Sequence, residues 1–171
     1  MKKIILIAFF SILLAVSPVF AATAKAVIKG TAEGSPIGGA AAFTEKDGGL
    51  EIEVEVANAP PGKHGFHIHE KGSCGNSGSD AGSHYNPDGV MHGMLTKDGF
   101  SHAHAGDFGN IEVKDDGTGT LKFFAPNLAL TGEKYNVIGR AVILHEKEDD
   151  FGQPTGNAGG RIGCGIIEAQ R

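Results

Sequence analysis

Leu50-Glu51-Ile52-Glu53-Val54-Glu55-Val56 alternates apolar and acidic residues without a break. A period of two puts Leu50, Ile52, Val54 and Val56 on one face of a β-strand and the three glutamates on the other, so one face is buried and one is wet. Lys46-Asp47-Gly48-Gly49 supplies the turn before it. Working outward, Ala24 to Thr31 is a short β-prone run, and a further strand is expected over Lys63 to Glu70. Ile111 to Val113 resumes strand character, Asp115-Asp116-Gly117 turns the chain, and Leu121 and Phe123 continue it. Arg140 to His145 reads as a buried strand and Gly163 to Ala169 as the last one. No stretch carries convincing amphipathic helical periodicity, and there is no repeat. About eight strands point to an all-β antiparallel barrel or sandwich.

Two segments interrupt this pattern. Residues 71–108 are rich in Gly, Ser, Asp and His, and residues 146–160 are also irregular. Loops this long inside one domain are usually functional or disordered. The first holds four of the eight histidines, His84, His92, His102 and His104, which argues for a loop ordered by a metal.

The amino terminus sets the compartment. Lys2 and Lys3 precede an apolar run from Ile4 to Val16, and Val19-Phe20-Ala21 reads as a small-residue cleavage site, with Ala22 as an alternative. Residues 1–21 are therefore expected to be a secretory signal and 22–171 one domain, periplasmic or secreted. The apolar run is shorter than the roughly 20 residues a membrane span needs. Without the leader the chain carries 13 basic and 20 acidic residues, a net −7. That balance argues against nucleic acid or an anionic membrane as the main partner. Cys74 and Cys164 are an even count in an exported chain, which favours a disulfide. It closes 90 residues of chain, worth roughly 4–5 kcal/mol in the loop-entropy model.

The histidines carry the chemistry. His67-Ile68-His69 places two imidazoles on one face of a strand. An isolated pair of this kind is weak evidence, because solvated or hydrogen-bonded histidines look the same. His84 opens HYNP, His104 begins HAGD, where Asp107 adds a carboxylate, and His145 opens HEKEDD. Imidazoles alone suit copper, and mixed imidazole and carboxylate suits zinc. Six histidines and one aspartate fill both sites only when one imidazole is shared.

GFHIHEKGSC (65–74), GSHYNP (82–87), HAGDFGN (104–110), HEKEDD (145–150) and GNAGGRIGCGII (156–167) together resemble the motifs of copper/zinc superoxide dismutases, in order, over the whole of 22–171. The resemblance implies an eight-stranded antiparallel Greek-key barrel with two long functional loops. It implies an oxidoreductase that converts superoxide to oxygen and hydrogen peroxide. Carried over by position, His67, His69, His84 and His145 bind copper, and His84, His92, His104 and Asp107 bind zinc. Asp149 links His67 to His92, and Arg161 and His84 are catalytic. Arg161 and Lys147 steer the anion, and Cys74 pairs with Cys164. His64 resembles a structural histidine, while His102, two residues before His104, is an alternative zinc ligand. The resemblance also suggests a homodimer through Val137, Ile138, Gly139 and Gly165-Ile166-Ile167.

Three features depart from the animal enzymes: a longer interval from His92 to His104, an early Cys74, and a short Phe151-Gly152-Gln153-Pro154-Thr155 loop without the charged insertion. The main alternative is an exported copper-binding or storage protein of the same fold. Arg161 weighs against it, because a carrier needs no anion-docking guanidinium.

Overall fold

A computed structural model describes residues 21–170, so the expected leader lies outside the described residues except for Ala21. Eight antiparallel strands close into one barrel in the order β1-β2-β3-β6-β5-β4-β7-β8. They are β1 (Thr23–Gly30), β2 (Gly38–Lys46), β3 (Gly49–Ala57), β4 (Gly62–His69), β5 (Asp107–Val113), β6 (Gly119–Pro126), β7 (Ala141–His145) and β8 (Arg161–Ala169). Among the described residues, closure leaves no free sheet edge. The order is a Greek key: β3 leaves the β1–β2–β3 meander and pairs with β6, while β4 sits between β5 and β7.

The alternation in β3 does what its pattern requires. Leu50, Ile52, Val54 and Val56 are buried, and Glu53 and Glu55 are exposed. Glu53 lies opposite Lys122 of β6 and pairs with it, one of several surface ion pairs on that face. Such exposed pairs contribute about 0–1 kcal/mol. The larger stabilisation is inside, where Phe43, Phe66, Phe108 and Leu144 are 0–2% exposed; fully burying each such side chain is worth roughly 1.5–3 kcal/mol. The turn before β3 is a two-residue Asp47-Gly48 hairpin, with Gly48 at φ 78°, a geometry that needs positive φ and so favours glycine.

Three features differ from the sequence expectation. The strand β2, Gly-Gly-Ala-Ala-Ala-Phe-Thr-Glu-Lys, has little β-propensity of its own and was not anticipated; it forms because β1 and β3 pair along both of its sides. The long interval between His92 and His104 holds a single helical turn, α1 (Leu95–Asp98), anchored by buried Leu95. Val137 and Ile167, read as surface residues, point into the barrel and are 0% exposed. Their apolar character serves the core. Among the described residues no helix is long and apolar enough to cross a membrane.

The two irregular segments lie where expected and cover one outer side of the barrel. Cys74 and Cys164 form the expected disulfide, with Cα atoms 5.7 Å apart, and it ties the first segment to β8.

Candidate metal centre

Phe66 and Ile68 of β4 belong to the barrel core, so the alternate residues His67 and His69 stand on the opposite, outer face. They are nevertheless 0% and 1% exposed, because the two loops fold over them. Antiparallel pairing of β4 with β7, Phe66 opposite Leu144 and His69 opposite Ala141, brings His145 at the end of β7 alongside. A short backbone ladder delivers the next ring: His69 and His84 form an isolated bridge, Tyr85 N–H donates to Ile68 O (2.8 Å), and Glu70 N–H donates to Ser83 O (2.9 Å). Asp107 opens β5 opposite His67.

The donors gather into overlapping groups. His67, His69, His84 and His145 form one quartet and His84, His92, His104 and Asp107 another, with donor atoms in each lying within 4.8 Å of one another. All are buried, and the ring of His84 belongs to both. Its Nδ1 lies 2.8 Å from Asp107 Oδ1, which leaves Nε2 as the edge for the first quartet. Asp149, fully buried, forms a third group with His67 and His92. His67 Nε2–H donates to it at 2.7 Å, and His92 Nε2–H at 3.0 Å.

The outer hydrogen bonds fix the tautomers. Carbonyl oxygens only accept, so His69 donates Nδ1–H to Gly82 O (2.9 Å) and His145 donates Nδ1–H to Gly159 O (3.4 Å). Both Nε2 atoms then carry lone pairs, yet they face each other at 3.3 Å. With Nε2–H committed to Asp149, the Nδ1 atoms of His67 and His92 are buried without a hydrogen-bond partner. His92 Nδ1 lies 2.8 Å from Asp107 Oδ2 but off the line of a hydrogen bond; the proximity is that of an ion pair. The facing Nε2 lone pairs of His69 and His145 and the unpartnered Nδ1 of His67 are costly to bury unless a cation sits among them. The donor chemistry therefore fits a metal in each quartet: four imidazoles suit copper, and three imidazoles with a carboxylate suit zinc.

The protonation states agree. Burial pushes His69 down to about 2, with the charges of His84 and Arg161 adding to the effect. Burial likewise lowers His145 to about 3 and His84 to about 4, the latter against the opposing hydrogen bond to Asp107. These rings are neutral ligands at pH 7. Burial opposes ionisation of Asp107, but hydrogen bonds from His104, His84 and His92 outweigh it and hold the carboxyl well below its usual range. His67 and His92 do the same for Asp149.

Arg161, the residue opposite His145 across the β7–β8 pair, is half-buried. Its Nη1 donates to Gly78 O and its Nη2 to Gly82 O, each at 2.6 Å. Its charge is felt at both His69 and His145, which sets it beside the first quartet. Lys147 is exposed, and its main-chain carbonyl accepts from Gly65 N–H at 2.9 Å. His64 lies between two main-chain carbonyls, His145 O at 2.9 Å and Pro60 O at 2.8 Å, and joins no donor group. His102 is exposed and outside both quartets, while His104 is inside.

Sequence reasoning missed Asn110. Its carboxamide accepts from Asp149 N–H (2.7 Å) and donates to Asp149 O (2.9 Å), holding that carboxylate's backbone across 39 residues of chain. Its place in HAGDFGN was the available signal.

The family model for copper/zinc superoxide dismutase (SODC) matches residues 37–167. The chain is similar to the extracellular superoxide dismutases [Cu-Zn] of three animals. It is 42% identical to that of Drosophila melanogaster over 146 residues, covering 79% of this chain and 77% of the relative. For Caenorhabditis elegans the identity is 43% over 132 residues, covering 73% and 58%. For Haemonchus contortus it is 45% over 125 residues, covering 69% and 66%. A solved structure described as the clock protein EA4 superposes with a TM-score of 0.76 at 34% identity, covering 91% of this chain and 99% of that one.

Proposed function

This chain belongs to the copper/zinc superoxide dismutase family, and we propose that it disproportionates superoxide, two radical anions and two protons giving one oxygen and one hydrogen peroxide, at the paired histidine quartets. His67, His69, His84 and His145 would hold copper, and His84, His92, His104 and Asp107 would hold zinc. The observation that carries this is the ring of His84, which belongs to both donor groups. Copper bound there would supply a one-electron couple that the substrate can both reduce and reoxidise, and His84 is the residue that would serve both metals. His84 keeps Nδ1 on the Asp107 side, so Nε2 is the atom that takes up a proton and hands it on. Asp149 and the carbonyls of Gly82 and Gly159 fix the other imidazoles, so their lone pairs need no reorientation. The test is metal analysis with a superoxide assay on the purified protein before and after copper removal. Activity should vanish with copper and return with it; a fully loaded but inert protein would overturn the reading.

Arg161 docks the substrate. Its bonds to the carbonyls of Gly78, Ser79 and Gly82 hold the guanidinium in place, and Nε–H and one Nη2–H are left to receive an anion. Lys147 adds positive charge at the mouth, opposing the repulsion expected from a net −7 surface. Arg161→Ala is expected to lower turnover about ten- to a hundredfold, the scale of one charge-assisted hydrogen-bonding group. Copper and zinc content should stay unchanged, and the sensitivity of the wild-type rate to added salt should shrink. Unaltered turnover in the variant would refute the docking role.

Export is supported by the leader-like order of residues 1–21 and by the extracellular relatives; the compartment is the periplasm or the exterior. A homodimer is supported by an apolar patch on β1 and β8. Val27 is 57% and Ile166 37% exposed, beside a groove of about 440 Å³ and close to the expected contact residues Ile138 and Gly139. Ile166→Glu should convert a dimer to a monomer in sedimentation; equal masses for variant and wild type would remove the contact from this face.

A further inference from the structure

His92 lies outside the named strands, yet its ring is held at both edges by buried carboxylates. Its Nε2–H meets Asp149 and its Nδ1 meets Asp107, both buried carboxylates. Something must fix the main chain from which the ring projects. Gln153, 61 residues away at the tip of the short Phe151–Thr155 loop, has its side chain against both main-chain polar groups of His92. Gln153 Oε1 accepts from His92 N–H at 3.0 Å, and Gln153 Nε2–H donates to His92 O at 2.8 Å. A carboxamide presents a donor and an acceptor side by side, which matches the N–H and C=O of one extended residue. It does here what a neighbouring strand would do.

The loop carrying Gln153 is itself tied. Asp150 N–H donates to Gly156 O (2.9 Å), Gly156 N–H to Gly152 O (2.6 Å), and Gly152 N–H to Asp150 Oδ1 (2.8 Å). Gly156 sits at φ +79° with its backbone against the Asp149–His92 hydrogen bond, where an added Cβ would run into Asp149 Oδ1. Phe151 stacks over the His92 ring with centroids 6.4 Å apart. Asn110 clasps Asp149 in the same two-point manner, so the two carboxamides bracket the Asp149–His92 bond from either end. Gln153 also rims a groove of about 450 Å³ whose wall includes His84 and His104.

We propose that Gln153 is a positioning residue for zinc, a main-chain clasp on His92 that takes over an anchoring task in a loop too short to wrap the site. The proposal rests on His92 being a zinc ligand. Gln153→Met keeps the length of the side chain and removes both hydrogen bonds. Zinc affinity, read by competition with a chromophoric chelator, should fall about tenfold or more, the range seen when partners of metal ligands are removed. Hydrogen exchange at the His92 amide of the zinc-loaded protein should quicken, while copper affinity stays within about twofold. Gln153→Asn, one methylene shorter, should not restore zinc binding. His92→Ala is the control and should lose zinc outright. If it does, and Gln153→Met binds zinc as wild type with unchanged exchange at His92, the clasp is refuted alone. If Gln153→Met loses zinc and copper affinity together with equal loss of thermal stability, Gln153 is a general structural residue and the proposal fails. If His92→Ala keeps its zinc, the ligand assignment fails and takes the clasp with it.

Discussion

Removing the Cys74–Cys164 bridge by Cys74→Ser with Cys164→Ser is expected to lower the unfolding free energy of the metal-free protein by about 4–5 kcal/mol, and to cut turnover of the metal-loaded one. The first effect comes from the unfolded chain. The bridge spans 90 residues, more than half of the chain, and opening it returns conformational freedom to the denatured ensemble on that scale. Metal-free protein is the right sample, because bound metal adds its own stabilisation and masks the difference. The second effect follows from what the bridge holds. Cys74 anchors the segment whose Gly78 and Gly82 carbonyls fix the Arg161 guanidinium, and the Gly82 carbonyl also accepts from His69. Without the bridge the Gly78 end is tethered chiefly by local turns such as Gly78 N–H to Cys74 O at 3.3 Å, while the Gly82 end keeps the Lys71 N–H to Ala81 O and Glu70 N–H to Ser83 O bonds to the end of β4. Denaturant unfolding and a superoxide assay read the two effects separately. A stability loss below about 1 kcal/mol would mean the reduced chain is already constrained by other contacts, and full turnover would mean that Arg161 keeps its place unaided.

How much of this was legible in the residues depends on whether the signal was local. The β3 strand was, because alternation of Leu50 to Val56 is a property of seven consecutive side chains and needs no partner to be read. The β2 strand was not: its alanines and glycines carry almost no preference, and its strandedness is decided by β1 and β3 on either side. The histidines occupy the same ground between these extremes. His67-Ile68-His69 is a local pattern, but that His84 faces both it and Asp107 depends on a bridge formed only when the loop returns to β4. The choice between His102 and His104 is open in the sequence; in the folded chain His102 lies in solvent, while His104 is buried within the second donor group. Asn110 and Gln153 had the weakest signals. A carboxamide that clasps a peptide group 39 or 61 residues away leaves no periodicity and no spacing. It looks like any polar loop residue until the loops are folded.

The strength of zinc binding should depend steeply on pH, and in a window set by one residue. Burial alone would push His92 down, but its contacts with the Asp107 and Asp149 carboxylates outweigh this and raise it to about 9 in the metal-free protein. The folded metal-free chain therefore carries a proton on His92 throughout the neutral range, lodged between two anions where the zinc charge would otherwise lie. Zinc must displace that proton to take the His92 lone pair, since ligands bind metal deprotonated. His84, lowered to about 4, has no such proton to lose, and Asp107 is already ionised. One proton released per zinc means that affinity rises about tenfold per pH unit from pH 7, then levels off near pH 9, a gain of roughly a hundredfold. The sign is fixed: a raised ligand pKa weakens binding below it and has no effect above it. The same proton stabilises the metal-free fold. Its contribution is full below the unfolded value of about 6.5 and is lost as pH rises towards 9, so zinc gains relative to the empty protein over the same interval. Calorimetric titration in zinc buffers of differing ionisation enthalpy counts the proton directly. Asp149→Asn removes one of the two carboxylates and should move the plateau to lower pH. Affinity that is flat from pH 7 to 9, with no proton released, would show His92 already neutral and leave the paired carboxylates without this role.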